Sequence, residues 1–72
     1  MKILAKNEDI VQVRIRKGLT GAEVARRAGI TKMGYYNIEK RKHGADPSTA
    51  QKICEVLNKD FDEVFEIQSG EN

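Results

Sequence analysis

Positively charged side chains are concentrated in the first two thirds of this sequence, where they could bind a polyanion. Residues 1–45 contain 11 lysines and arginines and four acids, a net charge of +7, whereas residues 46–72 contain two lysines and seven acids, a net charge of −5. A surface of one sign attracts a partner of the opposite sign. The asymmetry is typical of a polyanion-binding surface, although an ordinary solvated surface also mixes charges.

The sequence contains few residues that could support catalysis or metal binding. His43 and Cys54 are its only histidine and cysteine, and a zinc site needs three or four such ligands. A nucleophile, a base and an orienting group cannot be assembled around one histidine, and no phosphate-binding loop motif is present. The sequence therefore predicts no enzyme, no metal and no cofactor, with Cys54 a small buried apolar residue.

Short helices are expected to position the charged residues. The pattern in residues 9–17 fits a helix or a strand, and we interpret it as a helix that ends at Gly18. Thr20 and Glu23 form a capping-box pattern at the start of a second helix, which Gly29 ends. Further helices are predicted at residues 32–41, from the cap Asp46-Pro47 onward, and as a short turn over residues 60–63.

The predicted helix at residues 32–41 has two different faces. Tyr35 and Ile38 lie three residues apart and face inward. A three-residue connection to the preceding helix forces a steep crossing of the two helices. The opposite side carries basic, polar, aromatic and apolar residues, namely Lys32, Met33, Tyr36, Asn37 and Lys40.

The composition, 39% hydrophobic and 33% charged, is typical of one soluble globular domain. We expect an all-α, compact domain over residues 1–67 and a flexible tail over residues 68–72. Ile3-Leu4 and Glu66-Ile67 could pair as short extended ends. No apolar run approaches the ~20 residues of a membrane span, and the N-terminus lacks the apolar run of a signal peptide. A cytoplasmic protein without a membrane partner is therefore expected.

One continuous segment, LTGAEVARRAGITKMGYYNIEK at residues 19–40, closely resembles the phage-repressor, Cro-like or Xre-like helix-turn-helix family. The similarity runs without gaps from about Ile10 to Phe65 and includes the closing residues Phe61 to Phe65. The resemblance implies a five-helix DNA-binding transcriptional regulator, a repressor, whose third helix enters the major groove of an operator.

The resemblance also implies roles for individual residues. The base-reading side chains would be Lys32, Met33, Tyr36 and Asn37. DNA phosphates would be held by Thr20, Gly21, Lys40, Arg41 and Lys42. Arg14 would pair with Glu39 and join the first helix to the end of the third. No small-molecule effector is indicated.

The sequence departs from the family pattern at three points. Gly21 stands where the family usually has a glutamine that contacts the operator. Here that DNA contact is expected to be absent or to be made by a backbone N–H. Arg41 replaces the glycine that usually follows the third helix. Ala45-Asp46 replaces a Pro-Ser pair, which occurs here two residues later.

Two further expectations concern partners. One recognition helix reads only a few base pairs, so we expect a homodimer on DNA. Its interface is predicted in the apolar C-terminal part, at Leu57, Phe61, Val64, Phe65 and Ile67. The alternative is that these residues only close a monomeric core.

The alternative function is a protein-interaction module of the same fold, antitoxin-like or polymerase-contacting, since fold alone does not decide function.

Overall fold

The computed structural model describes residues 1–69, in which five helices lie between two short terminal strands. In chain order the elements are β1 (Lys2–Ala5), α1 (Asn7–Arg16), α2 (Gly21–Ala28), α3 (Lys32–Glu39), α4 (Pro47–Leu57), α5 (Phe61–Val64) and β2 (Phe65–Gln68). The five predicted helices are confirmed, and the ambiguous segment before Gly18 is helical.

The two strands pair with each other, so the fold is not strictly all-α. β1 and β2 are antiparallel, with Ile3 opposite Ile67 and Leu4 opposite Glu66. The pairing predicted for the short extended ends is thus confirmed, while the all-α class is corrected. Gln68, which the sequence assigns to a flexible tail, is the last residue of β2. Residues 70–72 of that predicted tail lie outside the described residues.

Side-chain caps start α2 and α3 as the sequence predicts. The hydroxyl of Thr20 accepts a hydrogen bond from the Glu23 N–H at 3.1 Å, and that of Thr31 accepts one from the Gly34 N–H at 3.0 Å. Each bond satisfies a helix N–H that would otherwise be unpaired. The Glu23 carboxylate does not complete the predicted capping box, because it pairs with Arg26 instead.

Helix α3 is two residues shorter than expected and ends at Glu39. Lys40 leaves the helical conformation with φ −84° and ψ 3°, and Arg41 adopts φ +64°. This left-handed conformation costs a residue with a Cβ roughly 1–2 kcal/mol, which is why glycine usually occupies such a position. Hydrogen bonds of the Arg41 side chain to the terminal sheet offset part of this cost.

One apolar core is enclosed by the helices and the sheet. Helix α2 contacts both α3 and α4, and α1 contacts α5. Because α2 and α3 each bury one face in this core, their opposite faces have fixed positions at the surface. The core residues are Ile3, Ala5, Ile10, Val24, Ala25, Ala28, Tyr35, Ile38, Ala50, Ile53, Cys54, Leu57, Val64 and Phe65.

Candidate nucleic-acid interface

The turn between α2 and α3 fixes the relative position of the two helices. Gly29 ends α2 with φ +75°, and its N–H together with that of Ile30 bonds back to carbonyl groups of α2. Thr31 then caps α3, so only residues 29–31 separate the helices. A connection this short keeps α3 packed against α2 along their shared core side.

The outer face of α3 brings together the side chains that the sequence predicts as base readers. Lys32 is exposed, and Met33 is 70% exposed although it is a large apolar residue. Tyr36 and Asn37 lie on the same side and are half-buried. The inward face carries Tyr35, Ile38 and the only acid of the helix, Glu39, all buried.

Three lysines extend this face and have no acidic partner. Lys32, Lys40 and Lys42 are exposed, and none of them forms a salt bridge within residues 1–69. Lys42 is held at the end of α3 by a hydrogen bond from its N–H to the Asn37 carbonyl at 2.9 Å. Their ammonium groups are therefore free to bind an anion.

Arg41 differs from the lysines around it because its guanidinium is already bonded. It donates to the Glu66 carboxylate at 2.7 Å and to the carbonyl oxygen of Ala5 at 3.0 Å. These bonds join the end of α3 to both strands of the terminal sheet. Both bonds use Nη1 of the guanidinium, and its charge is partly offset by Glu66, which weakens its attraction for the phosphate that the sequence predicts it to hold.

The arginines of α2 are likewise paired. Arg26 donates to the Glu23 carboxylate, and Arg27 lies 3.8 Å from the same group. Their side chains are 67% and 50% exposed, so water screens the attraction and the pairs contribute little stability. The ion pair with Arg26 lowers the pKa of Glu23.

A buried polar network supports α3 from below. Arg14 of α1 forms a bidentate ion pair with Glu39, with its Nε 2.6 Å from Oε2 and its Nη2 3.1 Å from Oε1. Tyr35 donates its hydroxyl to the same Oε2 at 2.7 Å, and Asn7 donates to the Glu39 carbonyl at 2.6 Å. The network joins α1 to the end of α3 and leaves no buried side-chain polar atom unpaired within the described residues.

Two members of this network, Arg14 and Tyr35, keep their protonation states near neutral pH. Burial, followed by the hydrogen bond to Glu39, raises the pKa of Tyr35 well above its usual value. The hydrogen bond to Glu39 raises the pKa of Arg14 despite partial burial. Arg14 is therefore charged and Tyr35 neutral over the whole physiological range. Burial also raises the pKa of the Cys54 thiol, which lies in the core.

The two residues predicted to hold phosphates at the start of α2 have different surroundings. Thr20 is exposed, and its hydroxyl caps the helix. Gly21 is buried, and the ring of Tyr36 covers it. No sequence pattern predicts this contact, because residues 21 and 36 are on different helices. Asn7 was also missed, since no local pattern links it to Glu39.

Three of the five residues predicted at a dimer interface belong to the core of the single chain. Leu57, Val64 and Phe65 are each 0% exposed, so they have no surface to offer a second copy. A domain of this size has a small core and needs them to close it. Phe61 is half-buried and stacks on Phe65, whereas Ile67 is 57% exposed on β2.

Residues 1–69 contain neither a metal-binding cluster nor a membrane-spanning helix. No group of three or more histidine, cysteine or acidic side chains is arranged to hold a metal ion there. In the same part of the chain, no helix is both long and apolar enough to cross a membrane.

Comparison with known proteins places this arrangement among helix-turn-helix domains. The helix-turn-helix family model HTH_3 matches residues 10–64, most of the chain. No curated protein sequence matches the chain.

Two solved structures are similar in fold. A protein from Bacteroides fragilis described as a candidate DNA-binding protein superposes with a TM-score of 0.72 at 20% identity, covering 89% of this chain and 98% of that one. The transcriptional regulator VanUg superposes with a TM-score of 0.72 at 20% identity, covering 92% of this chain and 87% of that one. At this identity the likeness shows the shared fold.

Proposed function

Because this chain belongs to the Xre/Cro-like helix-turn-helix family, we propose that it binds double-stranded DNA at specific sequences and represses transcription. Membership of the family supports DNA-binding transcription regulation and indicates a regulator rather than an enzyme. Repression is the simplest outcome, since a bound domain excludes other proteins from the DNA that it covers.

One observation carries this proposal: the outer face of α3 bears cations and hydrogen-bonding groups but no acid. Glu39, the single acid of α3, is buried beneath the helix and bonded to Arg14. Lys32 and Lys40 remain exposed at opposite ends of the outer face. A helix with this distribution of charge can enter the negatively charged major groove without repulsion.

Each exposed side chain has a contact that suits its chemistry. Lys32 can donate to guanine O6 and N7, Asn37 can pair with adenine N6 and N7, and Met33 can touch a thymine methyl group. Lys40 and Lys42 suit phosphate oxygens. Thr20 and Gly21, at the start of α2, are proposed to face further phosphates.

Selection of bound sites from a random pool of double-stranded DNA tests the proposal. We expect a short enriched motif and an affinity that falls steeply with salt, with a log–log slope of about −3 or steeper for two copies. A pool without enrichment, together with binding that is insensitive to salt, would favour the protein-interaction module instead.

We propose that two copies bind together, through the outer edge of β2. β1 is covered on its far side, where the Ile3 carbonyl accepts the Ala45 N–H and the Ala5 carbonyl accepts Arg41. The described sheet has no third strand beyond β2, where Ile67 is exposed. Antiparallel pairing of two β2 strands about a twofold axis would place Ile67 against its counterpart and join the two sheets.

The proposed contact between copies is small, so we expect it to form on DNA and not in dilute free protein. Footprinting on the selected site should show two inverted half-sites about one helical turn apart. An Ile67→Lys variant should keep the half-site motif but lose cooperative occupancy of the pair. A single unrepeated half-site protected by the parent protein would rule out the dimer.

A further inference from the structure

The first residue of α2 lies directly beneath an aromatic ring of α3. A Cβ atom built on Gly21 would lie 2.5 Å from Cε1 and 2.6 Å from the hydroxyl oxygen of Tyr36. Non-bonded carbon atoms prefer separations of about 3.5–4.0 Å. The ring therefore occupies the space that any side chain at residue 21 would need.

The Tyr36 ring is held from two other directions as well. Tyr35 meets it edge-on, with ring centroids 5.8 Å apart and planes inclined by 66°. The Arg14 guanidinium carbon lies 5.9 Å from the ring centroid, and Arg14 is itself held by Glu39. The ring cannot swing outward from α2 without losing these contacts. A side chain that reads bases has to extend away from its helix into the groove.

The hydroxyl of Tyr36, in contrast to that of Tyr35, has no partner within residues 1–69. Tyr35 donates to Glu39, whereas no described hydrogen bond involves the Tyr36 hydroxyl. Within the described residues, every buried polar side-chain atom has a hydrogen-bond partner. Because the Tyr36 hydroxyl has none, it is not fully buried and solvent can reach it. The result is a solvent-accessible donor held at a fixed place between α2 and α3.

We propose that Gly21 and Tyr36 form one interlocked unit, in which the ring takes the place of a side chain at residue 21 and its hydroxyl donates to a DNA phosphate oxygen. This inference rests on the proposed DNA binding and refines it. Tyr36 then contributes affinity and not sequence discrimination, because phosphates are the same at every base pair. Residue 21 can gain a side chain only when residue 36 loses its ring.

Tyr36→Phe tests the phosphate contact, because it removes the hydroxyl and keeps the ring. We expect roughly tenfold weaker binding to every DNA sequence, as for loss of one hydrogen bond to a charged group, with an unchanged selected motif. Tyr35→Phe is the matched control, since its hydroxyl faces the interior, and it should leave affinity unchanged. An altered motif, or an unchanged affinity for Tyr36→Phe, would overturn the assignment.

Gly21→Ala tests the interlock without DNA, in the parent chain and in a Tyr36→Ala background. In the parent the new methyl group overlaps the ring, and the melting temperature should fall by about 4–8 °C or more. In the Tyr36→Ala background it should stay level or rise, because alanine suits a helix better than glycine. Equal falls in both backgrounds would overturn the interlock.

The two tests separate this inference from the proposed function. A parent protein that binds DNA while Tyr36→Phe binds equally well contradicts the inference alone. A parent protein that binds no DNA contradicts the proposed function and the phosphate contact together. The unfolding result then decides the interlock independently.

Discussion

The two faces of helix α3 contain similar residue types, but they differ in whether those residues have hydrogen-bond or ion-pair partners. On the inner face, the Tyr35 hydroxyl donates a hydrogen bond to Glu39, and Arg14 completes the network. On the outer face, Tyr36 and Lys32 have no such partner within residues 1–69. The neighbouring tyrosines 35 and 36 thus differ in burial and in hydrogen bonding.

The contrast shows why charge counts alone did not identify the binding surface. Basic residues are frequent in the first 45 residues, yet Arg14 and Arg41 are bonded to acids of their own chain. Pairing inside the protein offsets the positive charge that would attract an anionic ligand. The lysines around α3 are unpaired within the described residues, so they can carry the DNA contact. Changes to the inner face should therefore affect stability, and changes to the outer face should affect binding.

The largest effect is expected for Glu39→Ala, which breaks the inner network. Arg14 would keep its charge in a site where its side chain is only 14% exposed. Removing one partner of such a pair costs about 3 kcal/mol or more of unfolding free energy. Urea or thermal unfolding would measure it, with Glu8→Ala, an exposed acid of α1, as the control. Equal losses for the two variants would contradict a separate structural role for the inner face.

Replacing Lys40 and Lys42 together by alanine should weaken DNA binding without changing stability. Each ammonium group neutralises one phosphate, so affinity should fall by about one to two orders of magnitude on all sequences alike. The log–log salt slope should become shallower by about 2 for each bound copy. Titrations at several salt concentrations would measure this. Lys52→Ala, an exposed lysine of α4, is the control. A slope equal to that of the parent would remove both lysines from the phosphate contacts.

Asn37→Ala should affect one base pair rather than all sequences. We expect a loss of about 1–3 kcal/mol on the selected site and relaxed preference at a single position. Repeating the site selection with the variant would show the change. If the motif is the same at every position, Asn37 is not a base reader, and the outer face would bind only the DNA backbone.

The smallest effect concerns the Tyr35 hydroxyl. Burial raises the pKa of Tyr35 in the folded state, whereas an unfolded tyrosine ionises near pH 10. The folded chain retains this proton longer, so the associated stability is complete below about pH 10 and is lost as pH rises further. Above that pH, the free energy of unfolding falls by at most about 1.4 kcal/mol for each pH unit.

Tyr35→Phe removes this dependence. The variant should be about 1 kcal/mol less stable than the parent near pH 7, from the lost hydrogen bond. Chemical unfolding at pH 7, 9 and 11 should show the gap between the two proteins narrowing above pH 10. A constant gap would mean that the Tyr35 proton is not linked to folding.

Local sequence patterns were sufficient for the helices and the turn between α2 and α3. A cap such as Thr20 bonds to the N–H of a residue three positions away, and Gly29 supplies a backbone angle that its own lack of a side chain permits. Such interactions depend on residues within one helical turn. The family could be identified for the same reason, since its motif is a continuous run of caps, small residues and apolar spacings.

Contacts between residues far apart in the sequence were decided by the tertiary structure alone. Arg41 meets Glu66 only because the two chain ends pair beside α3. Leu57 is in the core while Ile67 is exposed, although both are apolar. Burial depends on which other elements cover a side chain, and the composition of one segment does not contain that information.

The Gly21–Tyr36 contact illustrates this division. The sequence by itself determined that residue 21 begins one helix and residue 36 lies within the next. Whether the ring would extend into solvent or lie on the glycine depended on how closely α2 and α3 approach. That distance is set by the packing of Val24, Ala25 and Tyr35 in the core, because helices approach as closely as the side chains between them allow.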